Sequence, residues 1–225
     1  LGDMDLCWKV VNEFKDELAC CAVKHSTPCG VAVGTSALET YTKTFECDPV
    51  SIFGGIIGMN YKVDAATAEE LNKTFLEIVM ATDFDEDALE ILRKKKNLRI
   101  IKIKNQVTDK QAWVKIDGGM LVQSADDQFS EDIKLVTETA PTDEQRKALL
   151  FSQRVVKYVK SNAVVVSNGV QAIGIGGGQV NRIWATQQAI ERAKEKFDGE
   201  VVLASDAFFP FRDVGDFCAQ EGIKA

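Results

Sequence analysis

The sequence lacks three patterns: a long apolar run, a Cys-x-x-Cys pair and an excess of positive charge. No segment approaches the roughly 18 apolar residues that a membrane-spanning helix requires, so we expect no membrane partner. Six cysteines without a paired motif, and no signal-peptide pattern, predict reduced thiols in a cytoplasmic protein. A formal charge of −7, with no basic stripe, argues against a nucleic-acid partner.

What is present predicts a soluble α/β protein. Segments typical of strands alternate with segments typical of helices, which favours a layered α/β architecture, and 225 residues suffice for one large domain or two small ones. We expect a first subdomain over 1–123, a polar linker over 124–141 and a second subdomain over 142–225, truncated at its end. Two similar strand–helix units would fit a duplicated fold. Both ends fall inside predicted elements, which suggests part of a longer polypeptide.

The pair Lys24-His25 is the most informative local feature. It follows an apolar run, Leu18 to Val23, that predicts a short buried strand, and His25 is the only histidine in the chain. Pro28 and Gly30 then predict a turn. A base and a cation on a constrained turn at a strand end are typical of catalytic groups held on a rigid edge. The alternative is that both residues are solvated and merely cap the strand.

Two glycine patterns each allow two interpretations. Gly54-Gly55 lies within a predicted strand over 52–59, which indicates either a close approach to the backbone or a bend packed against a helix. Gly174 to Gly178 leads from a predicted hairpin, signalled by Asn168-Gly169, into a predicted helix. Its amides could cradle an anion, although the spacing does not match the dinucleotide fingerprint.

Capping residues predict where helices begin. Ser36 and Asp64 each precede a helical pattern. Thr142 and Gln145 have the spacing of a capping box, which predicts a helix to about Val159.

Metal-dependent deamination and cysteine catalysis both lack residues they need. The zinc deaminase signature combines His-x-Glu with Pro-Cys-x-x-Cys, whereas His25 is followed by Ser26-Thr27 and Cys29 has no second cysteine. We therefore expect no catalytic metal. A Cys29/His25 nucleophile pair lacks an orienting third residue.

The segment Asp206 to Asp213 combines three phenylalanines with a proline and charged residues at its edge. A flat aromatic wall beside ionic groups suits a heterocyclic ligand. The alternative is a hydrophobic loop packed under a helix.

Taken together, the motifs resemble the formyltransferase domain of the AICAR transformylase/IMP cyclohydrolase family. The resemblance rests on segments in family order: Lys24-His25-x-x-Pro28-Cys29-Gly30, Asp48-Pro49-Val50-Ser51-x-Phe53-Gly54-Gly55, Ala88-Leu89-x-Ile91-Leu92-x-Lys94-Lys95-Lys96-Asn97, Val159-Lys160-Ser161-Asn162, Gly174-Ile175-Gly176-x-Gly178-Gln179-x-x-Arg182 and Ser205-Asp206-Ala207-Phe208-Phe209-Pro210-Phe211-Arg212-Asp213.

This resemblance implies a duplicated, cytidine deaminase-like three-layer fold and the transfer of a formyl group from 10-formyltetrahydrofolate to the amine of AICAR. It implies a homodimer with shared active sites, a structural potassium ion and an IMP cyclohydrolase domain on the same polypeptide. The residues it implicates are Lys24, His25 and Asn162 in catalysis, Arg182 and Phe208 at AICAR, Gly54 and Asp213 at the folate, and Glu77 as a further substrate-binding residue. A family segment that reaches the AICAR phosphate is absent from this sequence, so the isolated chain is expected to bind weakly. The alternative is a nucleotide-binding module without transferase activity that uses the Gly174–Gly178 turn.

Overall fold

The structure is a computed structural model that describes residues 1–104, 109–129 and 133–225. Within these ranges the helices are α1 (Gly2–Asn12), α2 (Ala37–Cys47), α3 (Ala65–Lys73), α4 (Glu86–Leu92), α5 (Asp143–Val156), α6 (Arg182–Lys194) and α7 (Asp213–Gln220). The strands are β1 (Leu18–Lys24), β2 (Thr27–Gly34), β3 (Ile56–Met59), β4 (Lys62–Val63), β5 (Ile78–Ala81), β6 (Asp83–Phe84), β7 (Arg99–Lys102), β8 (Gln111–Ile116), β9 (Gly119–Ser124), β10 (Val164–Ser167), β11 (Ala172–Gly176) and β12 (Val202–Ser205).

The first sheet has the order β2-β1-β3-β5-β7. β1 pairs antiparallel with β2 and β3, whereas β3, β5 and β7 run parallel. Side chains alternate across a strand, so Cys21 and Val23 of β1 pack on one face and Cys20 and Ala22 on the other. Because both faces are covered by helices, β1 reads as a continuous apolar run. The predicted α/β class is confirmed.

The second sheet has the order β11-β10-β12, with antiparallel pairing throughout. Val165 of β10 joins the core that also contains Val23 of the first sheet and Phe151 of α5. The two sheets are also joined directly, because the Val33 amide donates to the Val170 carbonyl at 2.9 Å. The two sheets therefore share one core.

The chain runs through the same sequence of elements twice. α1-β1-β2-α2-β3, the first unit, is matched by α5-β10-β11-α6-β12, the second unit, with the corresponding strand orders β2-β1-β3 and β11-β10-β12. In both units the hairpin register shifts at the same place, between Ala22 and Val23 in the first and between Val166 and Ser167 in the second.

Most predicted helix starts are confirmed. The side chains of Ser36, Asp64 and Thr142 accept hydrogen bonds from the backbone of the first turns of α2, α3 and α5, and Thr142 and Gln145 form the capping box. α1 ends at Asn12, and Leu18, where the predicted buried strand begins, is the first residue of β1.

The turn predicted at Pro28 and Gly30 was misplaced. The chain reverses at His25 and Ser26, both in the left-handed region with φ of 55° and 59°. Pro28 and Gly30 lie inside β2. Gly30 is required there for a different reason: a Cβ at this position would overlap the carbonyl oxygen of Thr44 in α2. The glycine therefore serves close packing of helix against strand.

The glycine pair of the predicted 52–59 strand lies before the strand. β3 begins at Ile56, and Gly54 has a φ of 74°, which L-residues with side chains rarely adopt. The hairpin predicted around Asn168-Gly169 is confirmed, with a loop that spans residues 168–171.

β8 and β9 form a separate two-stranded hairpin with apolar side chains exposed on both strands, Trp113 and Leu121 among them. The predicted linker over 124–141 begins inside β9, which ends at Ser124, and its other described residues, 125–129 and 133–141, contain no helix or strand. Residues 130–132 of that linker lie outside the described residues.

Candidate active site

Lys24 and His25 open into a cavity of about 340 Å³ between the first unit and α6. Its lining comes from the β1–β2 turn, the end of α2, β11 and the last turns of α6: Lys24, His25, Thr27, Pro28, Cys29, Cys47, Asp48, Ser51, Ala172, Ile173, Ile175, Gly177, Gln188, Arg192 and Lys196. The cationic residues Lys24, Arg192 and Lys196 outnumber the single carboxylate, Asp48. The cavity therefore favours an anionic or electron-rich ligand.

The β1–β2 turn fixes the Lys-His pair through its backbone. His25 lies at the exposed tip of the turn, and the Ser26 amide donates to the Asp3 carboxylate of α1 at 3.0 Å. The Lys24 ammonium donates to the Phe53 carbonyl at 2.7 Å. In the part of the chain that the structure describes, the His25 ring has no hydrogen-bond partner, so its nitrogens are available to a ligand.

Two residues of the cavity were missed by the sequence reasoning. The Arg192 guanidinium donates to Asp48 at 2.9 Å, and Lys196 donates to the carbonyl of Cys47 at the end of α2. Arg192 lies on α6 and Lys196 just after it, 144 and 149 residues from their partners in sequence, and no local pattern marks such a pair.

Cys29, one of the two cysteines that line the cavity, is unsuited to nucleophilic chemistry. Burial raises the pKa of the Cys29 thiol to about 12, and its sulfur donates to the Ala22 carbonyl at 3.5 Å. The thiolate is the nucleophilic form, so a Cys29/His25 pair is not supported.

A second cluster surrounds Asn162 and Arg182, two of the predicted site residues. One terminal nitrogen of Arg182 donates to the Asn162 side-chain oxygen at 2.7 Å, and the other forms an ion pair with Asp206 and donates to Ser205 at 2.8 Å. Ser161 donates to the same carboxylate. The Arg182 side chain is only 9% exposed, and its Nε has no partner among the described atoms.

This second cluster sets the charge on Asp206. Burial raises the pKa of the Asp206 carboxyl. Hydrogen bonds from Ser161, Arg182 and the Ala163 amide lower it by more, so the pKa lies below its ordinary value. Asp206 is therefore ionised at neutral pH and holds Arg182 in place.

The aromatic segment after Asp206 is exposed. Phe208 and Phe211 are 81% and 73% exposed, which excludes the interpretation of a loop packed under a helix. Asp213 begins α7, where its carboxylate accepts from the Val214 amide at 2.8 Å. The segment thus presents apolar rings beside a charged helix start.

Gly54 and Glu77 lie near the Lys-His pair. The Gly54 amide donates to the Phe75 carbonyl at 2.8 Å, and the Glu77 amide donates to the Gly55 carbonyl at 3.1 Å. The Glu77 carboxylate is paired with Arg99 at 2.8 Å on the surface.

The structure therefore brings the predicted residues together in two groups. Lys24 and His25 line the cavity, with Gly54 beside the Phe53 carbonyl that Lys24 contacts. Asn162 and Arg182 are bonded to each other elsewhere, and none of Asn162, Arg182, Phe208 or Asp213 contributes to the described lining of the cavity.

The interpretation of Gly174–Gly178 as an anion-binding turn is wrong for Gly174 and Gly176. Gly174 and Gly176 belong to β11, and a Cβ on either would overlap a carbonyl oxygen of α6, at Ala189 and Ala185 respectively. These glycines allow α6 to lie directly on the strand, as the third glycine of a dinucleotide motif does for its own helix. Only Gly177 reaches the cavity.

Over residues 1–104, 109–129 and 133–225, no three His, Cys, Asp or Glu side chains are grouped as metal ligands. No helix in these ranges is long and apolar enough to cross a membrane.

Sequence comparisons with known proteins match most or all of the chain. Residues 1–192 match the family model described as AICARFT/IMPCHase bienzyme. The chain is 60% identical over 225 residues to the bifunctional purine biosynthesis protein PurH of Clostridium botulinum strain Hall, and 56% identical over 226 residues to that of Fusobacterium nucleatum. Each alignment covers 100% of this chain but 44% and 45% of the relative.

Among solved structures, a dCMP deaminase from the cyanophage S-TIM5 aligns at a TM-score of 0.32 and 10% identity, over 38% of this chain and 79% of the deaminase. In the sequence comparisons, the chain spans less than half the length of the curated relatives that it matches. From the family model and from these relatives, which act in purine biosynthesis, the chain belongs to the AICARFT/IMPCHase bienzyme family.

Proposed function

We propose that this chain carries formyl transfer from 10-formyltetrahydrofolate to the amine of AICAR, giving formyl-AICAR. The observation that carries the proposal is the Lys24-His25 pair, held on a fixed turn at the mouth of a cationic cavity. The family description, which names a bienzyme of this kind, supports the same reaction.

In this proposal His25 is the general base. It removes a proton from the AICAR amine as the amine nitrogen attacks the formyl carbon, and its unpartnered ring leaves a nitrogen free for that role. The Lys24 ammonium stabilises the negative charge that develops and donates a proton to the departing folate nitrogen. A positioned general base contributes about 10²–10⁴-fold, so orientation and contacts to the formyl oxygen supply the remainder.

Asn162 is assigned to the formyl oxygen. Its amide nitrogen donates to the Gln179 carbonyl at 2.9 Å, and an amide nitrogen carries two protons, so one remains for substrate. Its side-chain oxygen is fixed by Arg182, which sets the direction of that free N–H. Arg182 is assigned to AICAR through the second proton of the nitrogen that contacts Asn162, and the exposed ring of Phe208 offers a stacking surface.

The proposed site is assembled from two copies of the chain. Lys24 and His25 would come from one copy and Asn162, Arg182 and Phe208 from the other, which accounts for their separation into two groups. Gly54 of the first group and Asp213 of the second would face the folate, with Glu77 close to Gly54. We place the homodimer in the cytoplasm, with the IMP cyclohydrolase domain elsewhere on the same polypeptide.

The potassium ion expected from the resemblance would be structural. Potassium is bound by oxygen donors, and the hydroxyls of Ser161 and Ser205 with the carboxylate of Asp206 form an oxygen-rich group. These oxygens are already engaged, because Arg182 pairs with the Asp206 carboxylate and donates to Ser205, and Ser161 and the Ala163 amide donate to the same carboxylate. The group therefore does not fit a further cation, no step is assigned to potassium, and the transfer itself is assigned to Lys24, His25 and Asn162.

We also propose that the two units arose as a duplicated, cytidine deaminase-like fold. The support is a nearly constant sequence offset between equivalent positions. In the first sheet Cys20 pairs with Met59, and in the second Val164 pairs with Ser205. The residues that follow are also bonded alike: the Asn60 amide donates to Ala19 and the Asp206 amide donates to Ala163, each at 3.2 Å.

The reaction is tested in a chimera, because the chain spans 44% of the relative's length. The matching segment of the Clostridium botulinum protein is replaced by this chain, and release of tetrahydrofolate is followed after mixing with AICAR and 10-formyltetrahydrofolate. We expect turnover by the chimera, and its absence would refute the proposal.

The informative variant is His25→Asn. Asparagine tolerates the left-handed backbone of this turn, so the loss of the imidazole is separated from strain. We expect kcat to fall by about 10²–10⁴-fold. The matched control is Ser26→Gly in the same turn, which keeps the backbone donor to Asp3 and should retain kcat. Full activity in His25→Asn would contradict the role assigned to His25.

A further inference from the structure

The turn over residues 48–55, here called the Asp48 turn, joins α2 to β3 and forms part of the cavity wall. Two of its internal hydrogen bonds end on Asp48, whose carboxylate accepts from the Ser51 amide at 2.9 Å and whose carbonyl accepts from the Ile52 amide at 3.2 Å. The second half is closed by the Phe53 amide, which donates to the Val50 carbonyl at 3.4 Å, and by the Gly55 amide, which donates to the Ile52 carbonyl at 2.9 Å. Asp48 therefore holds the first half of the turn, and the second half, with Phe53, is bonded to that half.

α6 holds the Asp48 turn from outside. Arg192 donates to the second oxygen of the Asp48 carboxylate at 2.9 Å, and the Asp48 side chain is 10% exposed. Burial raises the pKa of Asp48, but the Ser51 hydrogen bonds and the charges of Lys196 and Arg192 lower it below its ordinary value. An ionised carboxylate bonded to a guanidinium is a charge-assisted contact, about twice as strong as a neutral one.

Lys24 depends on the same turn. Its ammonium donates to the carbonyl of Phe53, a backbone atom of the turn, at 2.7 Å. A lysine side chain is flexible and ends in a compact charge with rotatable donors. A fixed acceptor is therefore what determines where the ammonium lies.

We infer that Arg192 is a positioning residue for Lys24, acting through the Asp48 carboxylate and the Phe53 carbonyl. Arg192 fixes Asp48, Asp48 fixes the turn, and the turn directs the Lys24 ammonium into the cavity. The effect on catalysis rests on the proposed function, whereas the ordering of the turn does not. The test therefore has two arms, one that measures the ordering of the turn and one that measures formyl transfer.

The first arm measures amide hydrogen exchange of Ser51 by NMR in this chain. Arg192→Gln removes the cation, and the control Lys194→Gln removes an equal charge from the same helix, where Lys194 is paired with Glu221. We expect Arg192→Gln to accelerate Ser51 exchange by about 2- to 10-fold, the range allowed by one hydrogen bond of ordinary net strength, and Lys194→Gln to leave it unchanged. Arg192→Lys, which retains a donor and the charge, should restore protection.

The second arm measures formyl transfer in the chimera. We expect Arg192→Gln to lower kcat by about 10- to 100-fold, the cost of a small misplacement of a catalytic group, with little change in KM. In a Lys24→Met background the same substitution should have no further effect, because the two residues act as one path. Arg192→Lys should recover kcat.

Two results would overturn the inference. One is Ser51 exchange in Arg192→Gln that matches Lys194→Gln, and the other is an equal fall in kcat with and without Lys24. If the chimera shows no formyl transfer at all, the proposed function fails and the exchange arm still decides the ordering of the turn. If Arg192→Gln does not fold, Asp48→Asn replaces it, because the amide oxygen still accepts from Ser51 while the ion pair is lost.

Discussion

The first and second units share an order of elements but use equivalent positions differently. Asn60 follows β3 and Asp206 follows β12, and each side chain accepts from the backbone amide of an alanine, Ala19 or Ala163, at 2.8 and 2.9 Å. The rest of the side chain differs in role. The Asn60 amide nitrogen donates to carbonyls after α1, including that of Phe14 at 2.9 Å, whereas the Asp206 carboxylate holds Arg182.

The two hairpin turns differ in the same way. When the two units are aligned by strand register, His25 and Gly169 occupy equivalent positions. Both have a positive φ, of 55° and 93°. The first unit puts a histidine at a conformation that glycine adopts without strain, and it presents that histidine at a cavity. The comparison teaches that one framework presents an exposed histidine at a cavity in one unit and holds a buried ion pair in the other.

The largest effect is expected from Asp206→Asn, which gives the second unit the residue type of the first. We expect a loss of about 3–5 kcal/mol in the free energy of unfolding, because the buried Arg182 guanidinium is left without its carboxylate. Urea unfolding measures this loss. Asp216→Asn, which removes an exposed pair with Arg212, is the control. A small change in Asp206→Asn would mean that the two positions are energetically interchangeable.

Acid should weaken the second unit by part of that amount. The pKa of Asp206 is lower in the folded protein than its ordinary value, so its contribution to stability is complete above the ordinary pKa of an aspartate and is lost as pH falls through the folded value. Asp48 contributes with the same sign. Urea midpoints between pH 7 and pH 3 should fall less steeply in Asp206→Asn than in the unaltered chain, and equal slopes would contradict the assignment.

Smaller and equal losses are expected from Gly30→Ala and Gly174→Ala. A Cβ would overlap the Thr44 carbonyl in the first unit and the Ala189 carbonyl in the second. Overpacking of this kind costs about 1–3 kcal/mol. Gly215→Ala, where α7 leaves space, should be neutral or stabilising. Thermal or urea unfolding measures the loss of stability in both variants. A large loss at only one glycine would contradict the structural equivalence of the two positions.

The smallest effects concern the helix caps. Ser36 caps α2 and Asn181 caps α6, each by accepting from a backbone amide three residues on. Replacing either by alanine should cost about 1 kcal/mol, measured by urea unfolding. Substitution by glycine should cost only a few tenths. A cap worth nothing in one unit would show that its helix start is held by tertiary contacts instead.

Local chemistry made much of the fold predictable. The buried run of β1, the caps at Ser36 and Asp64 and the capping box at Thr142 all depend on neighbours within a few residues, so the sequence pattern carries the information. The misplaced turn at Pro28 and Gly30 shows the limit of this approach. Gly30 is needed because Thr44 lies against it, and no window around Gly30 contains that fact.

The site was predictable only residue by residue. Lys24-His25 stood out as a pair, and the resemblance supplied Asn162 and Arg182. The bonds that organise these residues join different elements: Arg192 contacts Asp48 across 144 residues, and Arg182 contacts Asp206 across 24. Such pairings follow from tertiary packing, and single-sequence patterns do not encode them.

Close packing of α6 on β11 has a geometric consequence. With glycine at 174 and 176, helix and strand touch backbone to backbone, so α6 has no layer of side chains on which to slide. Arg182 begins this helix and Arg192 lies ten residues later, a separation of about 15 Å along the axis at 1.5 Å per residue. α6 therefore sets the spacing between the Asp206 cluster and the Lys24 cavity. Any partner that contacts both must match that length.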